Sequence, residues 1–280
     1  MMMPSPSTKI QNTNLHEPST NQHKKKLSSF VFIRVHSCKF VLTLLLLSLA
    51  IPICGQASPT TAPSDPRFTI ADQLDSDDFS HGSDRWTTEL EKGGTVTAKD
   101  GVLDIDVPAG ASLWLKSKLT GPLMIQYHVV PIVNGGPNDR LSDVNCFWIA
   151  TDTRNKDDFF AVPRTGKFAD YNQLLTYYVG VGGNTNTTTR FRRYVGDSVD
   201  RPLLPQNDLR DPADLLKPNQ EMLIQLIAAD HLIQFYRDGK KLFEMDDSQP
   251  YTTGYFAFRT TKSHLRIRDF AVYRLQLNSH

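Results

Sequence analysis

Residues Asp170–Gly196 read DYNQLLTYYVGVGGNTNTTTRFRRYVG. Two runs of β-forming residues, about Gln173–Val181 and Thr188–Val195, flank a Gly/Asn/Thr turn, which predicts a pair of antiparallel strands. The stretch is dense in Tyr, Asn and Arg. A sheet face carrying those side chains is no ordinary core face, because burying an unpaired guanidinium is very costly. Parity divides the second strand: Arg190, Arg192 and Tyr194 share one face, while Thr189, Phe191, Arg193 and Val195 share the other. Phe191 and Val195 mark the second face as inward. On the first strand Tyr178 with Thr176 is the more polar set. The polar face is then either a solvated outer surface or the floor of a groove. Charge clustered with aromatics beyond what solubility requires favours the groove.

Working outward, the chain is β throughout. Short strands are expected at Trp86–Leu90, Gly94–Ala98, Val102–Val107, Ser112–Lys116, Leu123–Val130 and Asp143–Thr151. After Arg201–Asn219, a polar covering loop with four prolines, a regular meander follows: Met222–Ala228, Leu232–Arg237, Lys240–Met245, Gly254–Arg259 and Leu265–Leu277. Asp238-Gly239 has the composition of a primed hairpin turn, and Asp211-Pro212 can cap one helical turn reaching Leu216. Many short strands at regular spacing with almost no helix predict an all-β, two-sheet antiparallel sandwich or jelly roll spanning residues 68–280. In Asp143–Thr151, Asp143, Asn145, Phe147 and Ile149 alternate with Val144, Cys146, Trp148 and Ala150, and the first two are placed toward the groove.

The first 57 residues stand apart. Lys24, Lys25, Lys26, Arg34 and Lys39 precede the apolar run Phe40–Ile53, and Gly55-Gln56-Ala57 ends in small residues. That is the pattern of a secretory signal with a long basic n-region, cleaved after Ala57. The apolar run is short of the roughly 20 residues a membrane span needs. Ile53 stands where a lipoprotein signal wants a small residue, which disfavours lipid anchoring at Cys54. Residues 58–67 read as a Pro/Thr/Ser tether. Residues 1–57 hold six Lys/Arg and one acid, leaving 25 basic and 29 acidic residues, so the remainder is near −4. That argues against nucleic acid and anionic membrane as partners, and the signal pattern predicts a secreted or periplasmic protein. Cys146 alone makes no internal disulfide and sits in an apolar run as a buried thiol.

Three segments share a likeness: Pro137–Ala150 (PNDRLSDVNCFWIA), Thr176–Gly196 with Thr187–Tyr194 (TTTRFRRY), and the tail from Asp238-Gly239 through Gly254–Thr260 (GYFAFRT) to Ile267–Phe270 (IRDF). Together they resemble a family of secreted bacterial proteins with a concanavalin-like fold and no settled function, related to YesU-type proteins found with pectin and rhamnogalacturonan utilisation genes. The resemblance spans nearly all of residues 75–275 and implies a carbohydrate context. A sheet of this kind can cradle a glycan on its concave face, where sugars ask for flat aromatic rings and for Asn, Asp and Arg forks.

The partner expected is a polysaccharide or oligosaccharide bearing uronates, and three roles stay open. A retaining hydrolase wants two carboxylates about 5–5.5 Å apart. The E-x-D-x-x-E strand motif of laminarinase-type relatives is absent, which leaves Asp143 with Asp170. A lyase wants a cation to neutralise the uronate and a group to move protons, which Arg190 and Arg192 with Tyr178, Tyr194 or His264 would supply. A non-catalytic binding module needs only the groove. Asn145, Tyr171, Asn172 and Arg259 complete the substrate-binding candidates, several of them in or beside a loop, where function concentrates. No cofactor is implied and no metal motif occurs. The one segment with the oxygen ligands of a structural Ca²⁺ is Asn134–Asp139.

Overall fold

The computed structural model describes residues 62–197 and 199–278. The expected signal, its cleavage site and Cys54 lie outside them. Strands β1 (Phe68–Asp77), β2 (Trp86–Leu90), β3 (Thr95–Lys99) and β4 (Val102–Leu115) open the domain. β5 (Leu119–Thr120), β6 (Leu123–Pro131), β7 (Val144–Asp152), β8 (Leu174–Gly182) and β9 (Thr188–Val195) follow. Then come β10 (Asp208–Leu209), β11 (Met222–Ala229), β12 (Leu232–Arg237), β13 (Lys240–Asp246) and β14 (Thr253–Leu277). The fold is an all-β, antiparallel jelly roll of the concanavalin-like kind.

Two strands turn the corner between its layers. The sequence read Val102–Val107 and Ser112–Lys116 as separate strands, and likewise Gly254–Arg259 and Leu265–Leu277; each pair is one continuous strand, β4 and β14. The two long strands pair with each other and share an irregularity where Thr261 faces Gly110 and Ser263 faces Val107. A bulge bends a strand without ending its pairing, and Pro108 is tolerated there because the ladder is already interrupted. One layer runs β10-β9-β8-β7, then the first half of β14, then the second half of β4 and β2. The other runs β13-β12-β11-β6 and the second half of β14, flanked by β1 and by β4 with β3. Asp238 and Gly239 both have positive φ, as a primed turn between β12 and β13 requires.

The sandwich core lies between the layers. Cys146 and Trp148 of β7, Tyr177 and Val179 of β8, and Phe191 of β9 meet Tyr127, Ile224, Leu226, Phe235 and Phe243 of the other layer. Phe191 stacks on Phe243 with ring centroids 5.8 Å apart. Burial pushes the Cys146 thiol up to about 12, so it is inert. A bulge in β7 follows Trp148, with Ile149 at positive φ. It reverses the alternation, so Ile149 joins the core and Ala150 the opposite face, the reverse of the simple period-two expectation. Val195, expected inside, is 38% exposed at the end of its strand.

The described part of the expected tether is docked rather than loose. Gln225 Nε2 donates to the Ala62 carbonyl (2.9 Å), and Ser64 N donates back to Gln225 Oε1 (2.8 Å). The buried Asp65 accepts from Gln234 Nε2 (2.8 Å) and from Arg67, whose hydrogen bonds hold its carboxyl down at about 2.

Candidate functional site

The first layer has an outer, concave face, and the residues on it follow from the parity of its strands. Thr176, Tyr178 and Gly180 come from β8, Asn145 and Phe147 from β7, Arg190, Arg192 and Tyr194 from β9, Ala257 and Arg259 from β14, and Trp114 from β4. Half of this face is covered. The long β7–β8 connection, residues 153–173, folds over it as a strap carrying two 3₁₀ turns at Phe159–Ala161 and Phe168–Tyr171. Beneath the strap Trp114, Phe147, Phe159, Leu174, Tyr178 and Tyr194 form a second apolar cluster. Phe159 packs between Trp114 (4.7 Å) and Tyr255 (4.6 Å).

A buried ionic network pins the strap. Arg164, its side chain only 1% exposed, donates from Nε to Glu89 Oε1 (2.9 Å) and from a terminal nitrogen to Asp152 Oδ2 (3.2 Å). Its guanidinium also lies 4.1 Å from the Phe159 ring centroid. The other Glu89 oxygen accepts from Trp114 Nε1 (3.0 Å) and from the Tyr171 hydroxyl (2.7 Å). Burial raises the Glu89 carboxyl above its usual range, against the pull of Arg164 and the hydrogen bonds. Arg259 Nη1 donates to the Gly166 carbonyl (2.6 Å). Gly110 is glycine because a Cβ there would stand 2.2 Å from that same carbonyl, so the strap sits directly on the backbone.

The uncovered half is a cleft of about 460 Å³, within the size range of small-ligand sites, roughly 300–1,000 Å³. Its floor is Asn145, Tyr178 and Gly180. One wall is Thr188, Arg190, Arg192 and Arg201, the opposite side is Arg140, Asp143 and Thr261, and the rim is the Gly183–Thr185 turn, with Phe168 at the strap end. Asn145 is 94% buried, its Nδ2 near Asp143 Oδ1 (3.4 Å), and its Oδ1 has no hydrogen-bond partner. Gly180 keeps the floor open: a Cβ would stand 3.0 Å from the Tyr178 hydroxyl and 3.2 Å from Asn145 Oδ1. Burial raises the Tyr178 hydroxyl well above the ordinary phenol range, so it stands in the cleft as a protonated donor.

The charges of the cleft are unbalanced. Arg140 pairs with Asp143 (2.6 Å), and Arg190 pairs with Asp208 (2.8 Å), whose carboxyl is held down at about 2 by the hydrogen bond from Arg190. Arg192 donates to the Arg201 carbonyl, and Arg201 lies over the Phe168 ring (5.0 Å). Among the described residues neither of these two meets a carboxylate. Burial lowers the Arg192 pKa, and the nearby Arg201 and Arg190 push it the same way.

Asp143, Asn145, Tyr178, Arg190 and Arg192 are thus brought together, and the other candidates are not. Tyr194 shares the face of Arg192 but is buried under the strap. Tyr171 is fully buried and committed to Glu89, and Arg259 is buried beneath Tyr171 and Phe168. Asp170 does not pair with Asp143; its Oδ2 accepts from Thr165 N (2.6 Å) and Oγ1 (2.7 Å), closing a turn of the strap. Asn172 ends the second 3₁₀ turn, its N–H bonded to the Ala169 carbonyl. His264 lies outside the cleft, between Asp139 (2.9 Å) and Asp104 (3.2 Å). Asp139, in the segment expected to offer oxygen ligands to Ca²⁺, accepts at its second oxygen from the N–H groups of Asn134 (2.7 Å) and Gly136 (3.0 Å). These bonds tie the Asn134–Asp139 loop onto itself. Arg201 and Phe168, which complete the cleft, went unsingled in the sequence because they sit in connections without periodicity.

The profile of a domain of unknown function, DUF6250, matches residues 105–270, more than half of the chain. The chain belongs to the DUF6250 family. The matched span contains every residue lining the cleft. No curated protein matches the chain. Among solved structures, the DUF6250 domain is similar to a Bacillus subtilis protein of unknown function with a galectin-like fold, at 19% identity and a TM-score of 0.59, over 75% of this chain and all of that one. It is also similar to an endo-β-1,3-glucanase from Pyrococcus furiosus, at 10% identity and a TM-score of 0.50, over 76% of this chain and all of that one. A third likeness is to an inactivated mutant β-agarase B in complex with agaro-octaose, at 9% identity and a TM-score of 0.50, over 79% of this chain and 99% of that one. At these identities the likeness is one of fold. None of the described helices is long and apolar enough to cross a membrane.

Proposed function

We propose that this is a secreted protein whose cleft binds a carboxylate-bearing saccharide. The observation that carries the reading is the pair Arg192 and Arg201, two guanidiniums facing the cleft without a carboxylate of their own. A uronate offers the missing counterion in the planar form that guanidinium forks bind best. The floor supplies what the rest of a sugar needs: the free Asn145 Oδ1 as an acceptor for a hydroxyl, the Tyr178 hydroxyl as a donor, and the Phe168 ring as an apolar wall. The glucanase and agarase of similar fold, named for saccharides, support the carbohydrate part of this reading and add no residue to it. The basic cleft on a chain with an acidic remainder points to one anionic group held locally, not to a polyanion spread over a surface.

Recognition fits the geometry better than cleavage. Hydrolysis by paired carboxylates needs a second acid, and among the described residues Asp143 is the one carboxylate lining the cleft, tied to Arg140 and to Ser142 Oγ (2.7 Å). Elimination needs a base for the proton beside the uronate carboxylate. Tyr178 is the hydroxyl in reach, and its raised pKa keeps the proton on it.

Calorimetric titration with oligomeric uronates and with neutral oligosaccharides of equal length tests the proposal. Binding of the uronates alone, weakening as salt rises, is expected. Equal affinity for neutral chains, or none for either, would overturn it. Turnover is followed in the same samples: an unsaturated, ultraviolet-absorbing product reports elimination, new reducing ends alone report hydrolysis, and retention without either is the expected result.

A further inference from the structure

The concave face changes character along each of its strands, always in the same direction. On β9, Thr188, Arg190 and Arg192 line the cleft and Tyr194 is buried. On β8, Gly180 and Tyr178 line it and Thr176 is fully buried. On β7, Asn145 lines it and Phe147 is fully buried. The boundary is a partition with three contributors. Phe168 comes from the strap, Arg201 reaches its ring from the β9–β10 connection (5.0 Å), and Arg259 reaches it from the floor (5.6 Å). Arg192 ties the partition to β9 by donating to the Arg201 carbonyl. Behind it, Trp114, Phe147 and Tyr171 fill the groove, and the Glu89–Arg164–Asp152 network fixes the strap above them.

We infer that the cleft is blind at this end and takes the terminal residue of an acidic glycan chain, not a segment within one. The inference rests on the acidic-saccharide reading and narrows it. A strand bound through its middle needs an open path on both sides of the site. Among the described residues the partition closes one side, and the cleft opens on the other, past the Asn184–Thr185 rim and Thr261. Arg192 and Arg201, which line the cleft without a carboxylate, stand at the closed end, so the charge of the last sugar goes deepest and the rest of the chain leaves through the rim. Moving the strap aside would expose an aromatic cluster and leave buried Glu89 and Arg164 unpaired, which makes the closed end a fixed feature.

The test is stoichiometry. Homopolymeric uronates (galacturonan, guluronan, mannuronan), fractionated from short oligomers to long chains, are mixed with excess protein, and the complexes are weighed by sedimentation or light scattering. End binding gives one protein per chain at every length, and a molar Kd that stops changing once the chain fills the cleft. Complexes carrying more proteins as the chain lengthens would overturn end binding while leaving the acidic-saccharide reading intact. If no uronate binds at any length, that reading fails and the inference goes with it.

Discussion

The two halves of the concave face use the same residue for opposite ends. Under the strap, Arg164 is surrounded by what satisfies it: Glu89, Asp152, a carbonyl and two aromatic faces. In the open half, Arg192 is also partly desolvated, yet beside it stand two tyrosines and two more arginines, with no carboxylate among them. A desolvated cation without a counterion is a cost that folding alone gives no reason to carry. The difference teaches how to sort arginines on a sheet of this kind. Arg164, answered by two carboxylates, belongs to the architecture. Arg259, buried on a carbonyl and a hydroxyl without a carboxylate, belongs there too, so what marks Arg192 for a ligand is the missing carboxylate together with its place on the open cleft.

The sharpest way to break this comparison is to remove an answer. Glu89→Ala takes one of the two carboxylates from Arg164 and the acceptor from the Trp114 N–H and the Tyr171 hydroxyl at once, and the expected loss is about 3–5 kcal/mol of unfolding free energy. Arg164→Ala is expected to cost a similar amount. The double variant should cost much less than the sum, because both changes destroy one network. Denaturant unfolding of the four proteins measures the coupling; simple additivity would show that the strap is held by packing alone.

In the open half the expected signature is reversed. Arg192→Ala and Arg201→Ala should each weaken uronate binding at least tenfold, about 1.4 kcal/mol, and Arg192→Ala should leave the protein as stable as before or slightly more so. Losing repulsion from Arg190 and Arg201 offsets the single hydrogen bond given up. If Arg192→Ala destabilises the fold as Glu89→Ala does, then its charge is answered after all and the contrast between the halves disappears.

Acid titration separates the halves more gently. The Asp208 carboxyl, held at about 2 by Arg190, stays ionised in the folded protein where the unfolded chain is already protonated, near 3.9. Its contribution is therefore complete above about pH 4 and is lost as the pH falls toward 2. Glu89 runs the other way. Burial lifts its folded pKa above the unfolded value of about 4.3, so its ionised form weighs against the fold at neutral pH. That cost is relieved as the pH falls through the folded pKa. Unfolding midpoints against pH should lose part of their acid-side fall in Asp208→Asn. In Glu89→Gln they should lose part of the decline seen as the pH rises above about 4. Unchanged profiles would mean that neither carboxyl feels its surroundings.

How much of this could be read from the chain depends on what period two can report. It sorted β9 well: Arg190 and Arg192 did go to one face and Phe191 to the other. Parity names a face, though, and not what covers it. Tyr194 lies two residues beyond Arg192 on that face and is sealed because a strap from another connection lands there. Tyr171 and Arg259 were singled out as polar-capable groups near the groove, and the same strap made both of them structural. Glu89 and Arg164 stand 75 positions apart in the chain, and no local pattern announces that they meet. Bulges escaped for a related reason: the extra residue that turns Ile149 inward, and the corner that joins two expected strands into β14, are set by contacts between layers.

The smallest effect concerns the rim. Asn184, Thr185 and Asn186 are all left-handed, and Thr185, at φ 60°, is β-branched and poorly suited to that region. The turn is held from outside, by Asn186 exchanging hydrogen bonds with the Leu216 backbone (2.8 and 3.0 Å) and by Thr187 Oγ1 donating to the Asn184 carbonyl (2.9 Å). Thr185→Gly removes a left-handed penalty of about 1–2 kcal/mol and returns some of it through the freer unfolded chain, about 0.5–1 kcal/mol. A net gain of up to about 1 kcal/mol is expected, seen as a higher Tm. Because the Thr185 side chain lines the cleft, uronate affinity should fall severalfold at the same time. A gain in stability with affinity unchanged would take the rim out of the binding surface and leave recognition to the arginine wall and the Asn145–Tyr178 floor, since those groups do not depend on the turn for their position.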